Sequence, residues 1–157
     1  MPVNDTGLAS DNPTIDEKDS RPMSILSFFP LFGFFLLGYY ILYLIGVFPD
    51  YLNEPVFSTY LPSGQYWEPT AAVVVILLGL VALFIELFKS TRTSSVSIID
   101  HILSTFVLVG FMVSWLIFEW AGNSVFLILT VMSFLDVIAG FTITIASARR
   151  DLSLGGK

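Results

Sequence analysis

The sequence has no cysteine and only one histidine, His101, and these two shortages exclude several kinds of site. Without cysteine the chain cannot form a disulfide, a thiolate nucleophile, an iron–sulfur cluster or a cysteine-ligated zinc site. One histidine cannot supply both axial ligands of a haem, and no partner at metal-ligand spacing accompanies it. A phosphate-binding loop is also missing, because Gly33 and Gly38 lie in an apolar run that lacks the required lysine. We therefore expect no cofactor and no metal.

Charge is scarce as well. Only 13% of the 157 residues are charged, whereas soluble domains carry about 25%. Hydrophobic residues make up 55% of the chain, and the mean hydropathy is +0.80. This composition is typical of an integral membrane protein, for which the lipid bilayer is the first partner. The few basic residues give no surface for a nucleic acid, so we expect no such partner.

Four long apolar stretches occupy about residues 25–47, 70–88, 102–120 and 124–148. About 20 apolar residues cover a hydrocarbon core of ~30 Å, so each stretch is long enough to cross. The predicted fold is an all-α, polytopic membrane domain over residues 23–148 with four transmembrane helices. Pro30 near the start of the first stretch predicts a kink or a late helix start. Only residues 121–123 separate the last two stretches, which predicts a tight antiparallel hairpin.

The basic residues predict the orientation of these helices. With four crossings, all seven fall on one side: Lys18, Arg21, Lys89, Arg92, Arg149, Arg150 and Lys157. Basic residues are enriched in cytoplasmic segments, so both termini are predicted to be cytoplasmic. The outer loop, residues 48–68, has none. This asymmetry, with no targeting peptide, favours a bacterial inner membrane.

Three segments outside the apolar stretches have distinct compositions. Residues 1–22 are acidic and rich in proline and small polar residues, which predicts a disordered cytoplasmic tail. Residues 149–157 form a short basic cytoplasmic tail. The outer loop carries three prolines and six aromatic residues, and we interpret it as an irregular connector that lies along the membrane surface. The alternative is a docking surface for an outer partner.

Asp136 lies near the middle of the fourth stretch and is the most unusual residue in the chain. An ionisable group at bilayer depth costs about 2.5–3.5 kcal/mol on insertion scales, and such groups usually face the interior of a bundle. Small and hydroxylated residues share its helical face, at a rotation of 100° per residue: Ser133, Gly140, Thr144 and Ser147. These five residues form the candidate polar site.

The hairpin places Asp136 opposite residues 108–110 of the third stretch. At that depth the sequence provides no lysine, arginine or histidine, so Asp136 is predicted to lack a counter-ion within its own chain. It would then remain protonated among hydroxyl groups, contact water, or pair with a basic residue of another subunit.

The second stretch has its own face of small residues, which ends in a carboxylate. Ala72, Gly79, Ala82 and Glu86 recur at helical spacing, and small residues at such positions let helix backbones approach closely in lipid. Gly110 in the third stretch is a further packing position. Lys89, three residues after Glu86, is within helical pairing reach of it. We interpret the face mainly as a helix–helix contact and Glu86 as an ion-pair partner.

Two hypotheses for function follow from these features. The first is a non-enzymatic subunit of a larger membrane assembly, homo- or hetero-oligomeric, that packs through small-residue faces and a buried carboxylate. The second is a proton- or cation-translocating channel or transporter component that uses Asp136. An enzyme is not expected, because the sequence shows no nucleophile with its base and no metal cluster.

Overall fold

The computed structural model describes residues 29–91 and 95–154, without the side chains of 95–98, 147–148 and 150–154. Within these ranges the chain forms four α-helices, whose bounds are α1 Leu31–Leu44, α2 Ala71–Ser90, α3 Ser95–Ile117 and α4 Ser124–Leu154. The predicted tail of residues 1–22 lies outside the described residues, as does the end of the C-terminal tail. The side chain of Ser147 is also outside them.

Three of the helices are long and apolar enough to cross a membrane. They cover Ala71–Ser90, Ile99–Ile117 and Ser124–Ala146. The outward faces of these helices carry half-exposed apolar side chains, as lipid-facing surfaces do; on α2 they include Leu77, Leu78, Val81, Phe84, Ile85 and Phe88. The prediction of an all-helical chain compatible with a membrane protein is confirmed to this extent.

Helix α1 is shorter than predicted. It begins at Leu31, directly after Pro30, and it ends at Leu44 rather than near residue 47. At 1.5 Å per residue its 14 residues span about 21 Å, less than a hydrocarbon core. Pro30 accounts for the late start, because proline lacks an N–H and fits the beginning of a helix better than its interior. Residues 25–28 of the predicted stretch lie outside the described residues.

Helix α4 is the central element, because it packs along both α2 and α3. Gly79 makes the α2–α4 contact close: a Cβ atom there would lie 2.8 Å from Leu129 Cδ2 and 3.0 Å from Met132 Sδ. Gly110 plays the same part between α3 and α1, where a Cβ atom would lie 3.0 Å from Leu36 Cδ2. The small-residue faces are thus used within this chain.

The core between the helices is mainly aromatic. Phe32 of α1, Phe111 of α3 and Phe126 of α4 are fully buried, and the ring of Phe111 contacts both of the others. Tyr39 joins this core near the outer loop, with its ring 5.0 Å from that of Phe126. Rings at these separations contribute beyond the area that they bury, so they hold α1 onto the bundle.

The α3–α4 connection differs from the predicted one in its length. Helix α3 ends at Ile117 rather than at residue 120, and a short 3₁₀ helix, Glu119–Ala121, follows it. Asn123 then caps α4: its Oδ1 accepts the N–H of Phe126 at 3.0 Å. Helix α4 continues to Leu154, beyond the predicted end at residue 148.

The outer loop, predicted to be irregular, contains regular structure. A 3₁₀ helix covers Asp50–Asn53, and strands β1 (Thr59–Tyr60) and β2 (Tyr66–Trp67) form an antiparallel hairpin. Gly64 lies in the turn between the strands and has a φ of 83°, a backbone conformation that residues with a side chain rarely adopt.

Candidate functional site

Five ionisable side chains gather where the end of α2 meets the first turns of α3 and the middle of α4. They are Glu86, Lys89, Asp100, His101 and Asp136, and we call them the charged cluster. Glu86 is 2% exposed, and Asp100, His101 and Asp136 are each 5% exposed. Burial of so many charged groups is costly unless they are paired, so their partners decide what the cluster can do.

Lys89 is the centre of the paired part of the cluster. Its Nζ lies 2.6 Å from Asp100 Oδ1 and 3.2 Å from Glu86 Oε2. The same nitrogen donates to the carbonyl oxygen of Phe29 at 3.2 Å. One ammonium group therefore connects α2, α3 and the residues that lead into α1. The predicted Glu86–Lys89 pair is confirmed, and Asp100 adds a partner that the sequence did not suggest.

Glu86 also caps the N-terminus of α1. The backbone N–H of Leu31 donates to Glu86 Oε1. The first N–H groups of a helix have no partner within it, and Pro30 at the start of α1 offers no side-chain cap. A carboxylate from α2 satisfies this position, so the role of Glu86 is mainly structural.

The ring of His101 packs against α4 at Gly140, a residue without a side chain. A Cβ atom on Gly140 would lie 2.5 Å from Cε1 and 2.7 Å from Nδ1 of the imidazole, so only glycine leaves room for the ring. Nε2 of His101 lies 2.9 Å from Thr144 Oγ1, and the ring of Phe141 is 5.6 Å away. The imidazole is therefore fixed on α4 between Gly140 and Thr144.

Asp136 lies one turn along α4 from Gly140 and is only partly satisfied. Ser104 of α3 hydrogen-bonds to its side chain. Its Oδ2 atom is buried and has no hydrogen-bond partner among the described residues. Ser133, fully buried one turn further along α4, has a hydroxyl in the same condition. An unsatisfied buried polar group costs about 1–3 kcal/mol, so each of these two atoms lowers the stability of the bundle.

The electrostatic balance of the cluster is negative when its acids are ionised. The carboxylates of Glu86 and Asp100 act repulsively on Asp136, and Lys89 attracts it. Lys89 is already bonded to both of the other carboxylates. Asp136 is thus the acid of the cluster that Lys89 does not bond.

The neighbour predicted for Asp136 is wrong. Asp136 lies beside Ser104 rather than opposite residues 108–110. The reason is the end of α3 at Ile117, which shifts the register of the hairpin by about one turn. Helix α3 also begins before residue 102, so Asp100 and His101 belong to the helix and face the bundle.

A signal for this arrangement was present in the third stretch. His101, Ser104, Leu108 and Phe111 are spaced by three, four and three residues, and all are buried. That spacing marks one helical face, and it places a histidine on the same face as a serine and two core residues.

Among the residues that the structure describes, no group of three or more histidine or acidic side chains is arranged to hold a metal ion. No known family model matches the sequence, and neither the curated proteins nor the solved structures include a match to it.

Proposed function

We propose that this chain crosses a bacterial inner membrane four times, with both termini in the cytoplasm. The distribution of the seven basic residues supports this topology. Helix α1 would cross together with the apolar residues that flank it. In this orientation Lys89 lies at the cytoplasmic end of α2, so the charged cluster extends from the cytoplasmic side toward the middle of the bilayer.

Within that topology, the function that the site supports best is translocation of a proton or another small cation by way of Asp136. The observation that carries this proposal is the unpartnered, buried Oδ2 of Asp136, next to neighbours that are themselves paired. Ionisable groups inside a bundle that are not consumed by structural pairing typically mark ion pathways and proton relays. Ser133 and Thr144 lie on the same face of α4, on either side of Asp136, and supply hydroxyl groups along it.

Packing within the bundle weakens the argument for the assembly hypothesis. The assembly hypothesis rests on two features that would need an external partner: the small-residue faces and the buried carboxylate. Gly79 is covered by Leu129 and Met132, and Gly140 is covered by His101. Asp136 points into its own bundle, where it is 5% exposed. These contacts remove much of the need for a partner, and they favour a role for Asp136 inside the chain.

Ion flux into reconstituted vesicles tests the proposal. Asp136→Asn keeps the shape of the side chain and its hydrogen-bonding capacity but removes the titratable group. We expect this variant to lose flux while it elutes from a sizing column like the wild type. Glu119→Gln is the matched control, because Glu119 is an exposed carboxylate outside the cluster. Unchanged flux in Asp136→Asn vesicles would refute the proposal.

The second candidate, a non-enzymatic subunit of a larger membrane assembly, is favoured by one surface. An open groove of about 600 Å³ lies between α1 and α3, and Gly33, Leu37, Tyr40, Val107 and Ser114 line part of it. Another membrane subunit or a second copy of this chain would fill it. This candidate predicts co-purification of another chain in mild detergent and loss of that chain in Val107→Trp. A monomer without any partner would contradict it.

A further inference from the structure

His101 stands between the charged end of the cluster and Asp136. Toward the end of α2, it interacts electrostatically with Asp100 and Lys89. Toward the middle of the bundle, Ser104 follows it on the same face of α3 and hydrogen-bonds to Asp136. On α4 the imidazole is seated at Gly140, four residues from Asp136, or about 6 Å along the helix axis. The ring and the carboxylate therefore lie at levels of α4 about one helical turn apart, and Ser104 is the α3 residue that hydrogen-bonds to the carboxylate.

Gly140 and Thr144 together form the position on α4 where the imidazole of His101 packs. A Cβ atom on residue 140 would overlap the ring, and the hydroxyl of Thr144 holds Nε2. A buried histidine that only filled space would not require a polar partner on the facing helix, a glycine under its ring and a buried carboxylate one turn away. Among common side chains, imidazole is the one that binds and releases protons near neutral pH without help.

The inference that follows rests on the proposed function of Asp136. We propose that the transported ion is a proton and that His101 exchanges it with Asp136 on the cytoplasmic side. A proton from the cytoplasm binds the imidazole. The imidazolium gives up one N–H proton to the Ser104 oxygen as the Ser104 hydroxyl proton moves to a carboxylate oxygen of Asp136. The imidazole is then neutral and Asp136 is protonated. The reverse sequence returns the proton, and no electron transfer or other reactant is involved.

The charged groups around His101 set the conditions for this exchange. The other members of the charged cluster are Glu86 and Lys89 on α2, Asp100 on α3 and Asp136 on α4. On the α1 side, the carbonyl oxygen of Phe29 accepts a hydrogen bond from Lys89. Asp100 attracts a positive charge on the imidazole and Lys89 repels it, and imidazole takes up and releases protons near neutral pH. The exchange is therefore expected to respond to cytoplasmic pH.

Proton uptake into vesicles that contain the purified protein, driven by a potassium diffusion potential and followed with a pH-sensitive dye, tests this inference. We expect His101→Gln to slow uptake by about 100-fold, as removal of a general acid–base group does, and added imidazole to restore part of the rate. Gly140→Ala keeps the histidine but displaces its ring, so it provides a second test if His101→Gln folds poorly. Glu119→Gln is the control, since Glu119 lies outside the cluster.

The outcomes separate this inference from the proposal on which it rests. Wild-type rates in His101→Gln and Gly140→Ala, with flux still lost in Asp136→Asn, would overturn the role of His101 and leave Asp136 as the ion site. Flux driven by a sodium gradient and insensitive to pH would also overturn the inference, because the ion would not be a proton. Full flux in Asp136→Asn would remove the proposed function itself. A slowed, imidazole-rescued His101→Gln with a flattened pH profile is the result that we expect.

Discussion

Lys89 Nζ and Asp100 Oδ1 lie 2.6 Å apart and join the last turn of α2 to α3 across eleven residues of sequence. The pair is largely buried, since the two side chains are 17% and 6% exposed. Because Lys89 also contacts Glu86 and the Phe29 carbonyl, it fixes the relative positions of three parts of the bundle. The stability of the charged cluster should therefore depend on this one ammonium group more than on any single carboxylate in it.

Replacement of Lys89 by methionine is expected to destabilise the protein by about 3 kcal/mol, the usual cost of removing one partner from a buried pair. Lys89→Met would leave Glu86 and Asp100 without a cation. The double variant Lys89→Met/Asp100→Asn removes one of these carboxylates and should recover part of the loss. Thermal unfolding in detergent measures both effects. A Lys89→Met protein as stable as the wild type would show that the pairing is not needed.

The two glycines Gly79 and Gly38 provide a matched test of helix packing. Gly79→Ala places a methyl group 2.8 Å from Leu129 Cδ2, so α2 and α4 must separate or repack; overpacking of this kind costs about 1–3 kcal/mol. Gly38 has no neighbouring atom within 4 Å of an added Cβ. Gly38→Ala should therefore change stability by less than about 0.5 kcal/mol or increase it slightly. Unfolding by denaturant in mixed micelles compares the two variants, and equal effects would contradict the α2–α4 contact.

Asn123 links the start of α4 to α1. Its Oδ1 caps α4 through the Phe126 N–H, and its Nδ2 donates to the Tyr39 hydroxyl at 2.8 Å. Asn123→Ala should cost about 1 kcal/mol for the lost cap and about 1 kcal/mol for the lost hydrogen bond to Tyr39.

Tyr39→Phe separates these two contributions, because it removes the hydroxyl and keeps the ring against Phe48 and Phe126. It should cost only the second of them. Unfolding of both single variants and the double variant gives a coupling energy between the two residues. A coupling energy near zero would mean that the Asn123–Tyr39 bond contributes nothing to stability.

The helices themselves could be predicted from the sequence, because a bilayer demands long apolar runs and Asp136 interrupts only one face of its run. Helical periodicity alone placed Ser133, Asp136 and Gly140 on one side of α4. The partners of that side could not be predicted in the same way. They depend on the point at which α3 ends, and an error of three residues there moves the register by nearly one turn.

The connection between α2 and α3 limited prediction for a different reason. Lys89 and Asp100 are close only because the chain reverses between them, and no periodic pattern in the sequence encodes that distance. His101 lies just before the third apolar stretch, because hydropathy marks where a membrane span begins, whereas the helix itself begins at Ser95. Hydropathy and helix limits differ most where polar residues extend a helix beyond its apolar part, and the charged cluster lies in such a place.

Ser133 tests whether the unsatisfied atoms of the site have a function. Its hydroxyl is buried and has no partner among the described residues, so Ser133→Ala should leave stability unchanged or raise it by about 1 kcal/mol. Thr130→Val is the matched control, because Thr130 Oγ1 is also buried but donates to the Phe126 carbonyl at 2.8 Å. If Ser133 lies on the ion route, Ser133→Ala should reduce flux while Thr130→Val should not. Loss of stability without loss of flux would assign Ser133 a structural role.

The absence of cysteine makes the proposed topology directly testable, because each single-cysteine variant carries one thiol in the whole chain. With four crossings, Ser63→Cys in the outer loop should react with a membrane-impermeant maleimide in intact cells. Thr91→Cys at the end of α2 and Ser10→Cys in the N-terminal segment should react only after permeabilisation. Thr91 reports on α2 alone, whereas Ser10 reports on whether the short α1 and its flanking residues cross. Labelling of Ser10→Cys from outside, with Thr91→Cys protected, would establish three crossings and place the N-terminus outside the cell.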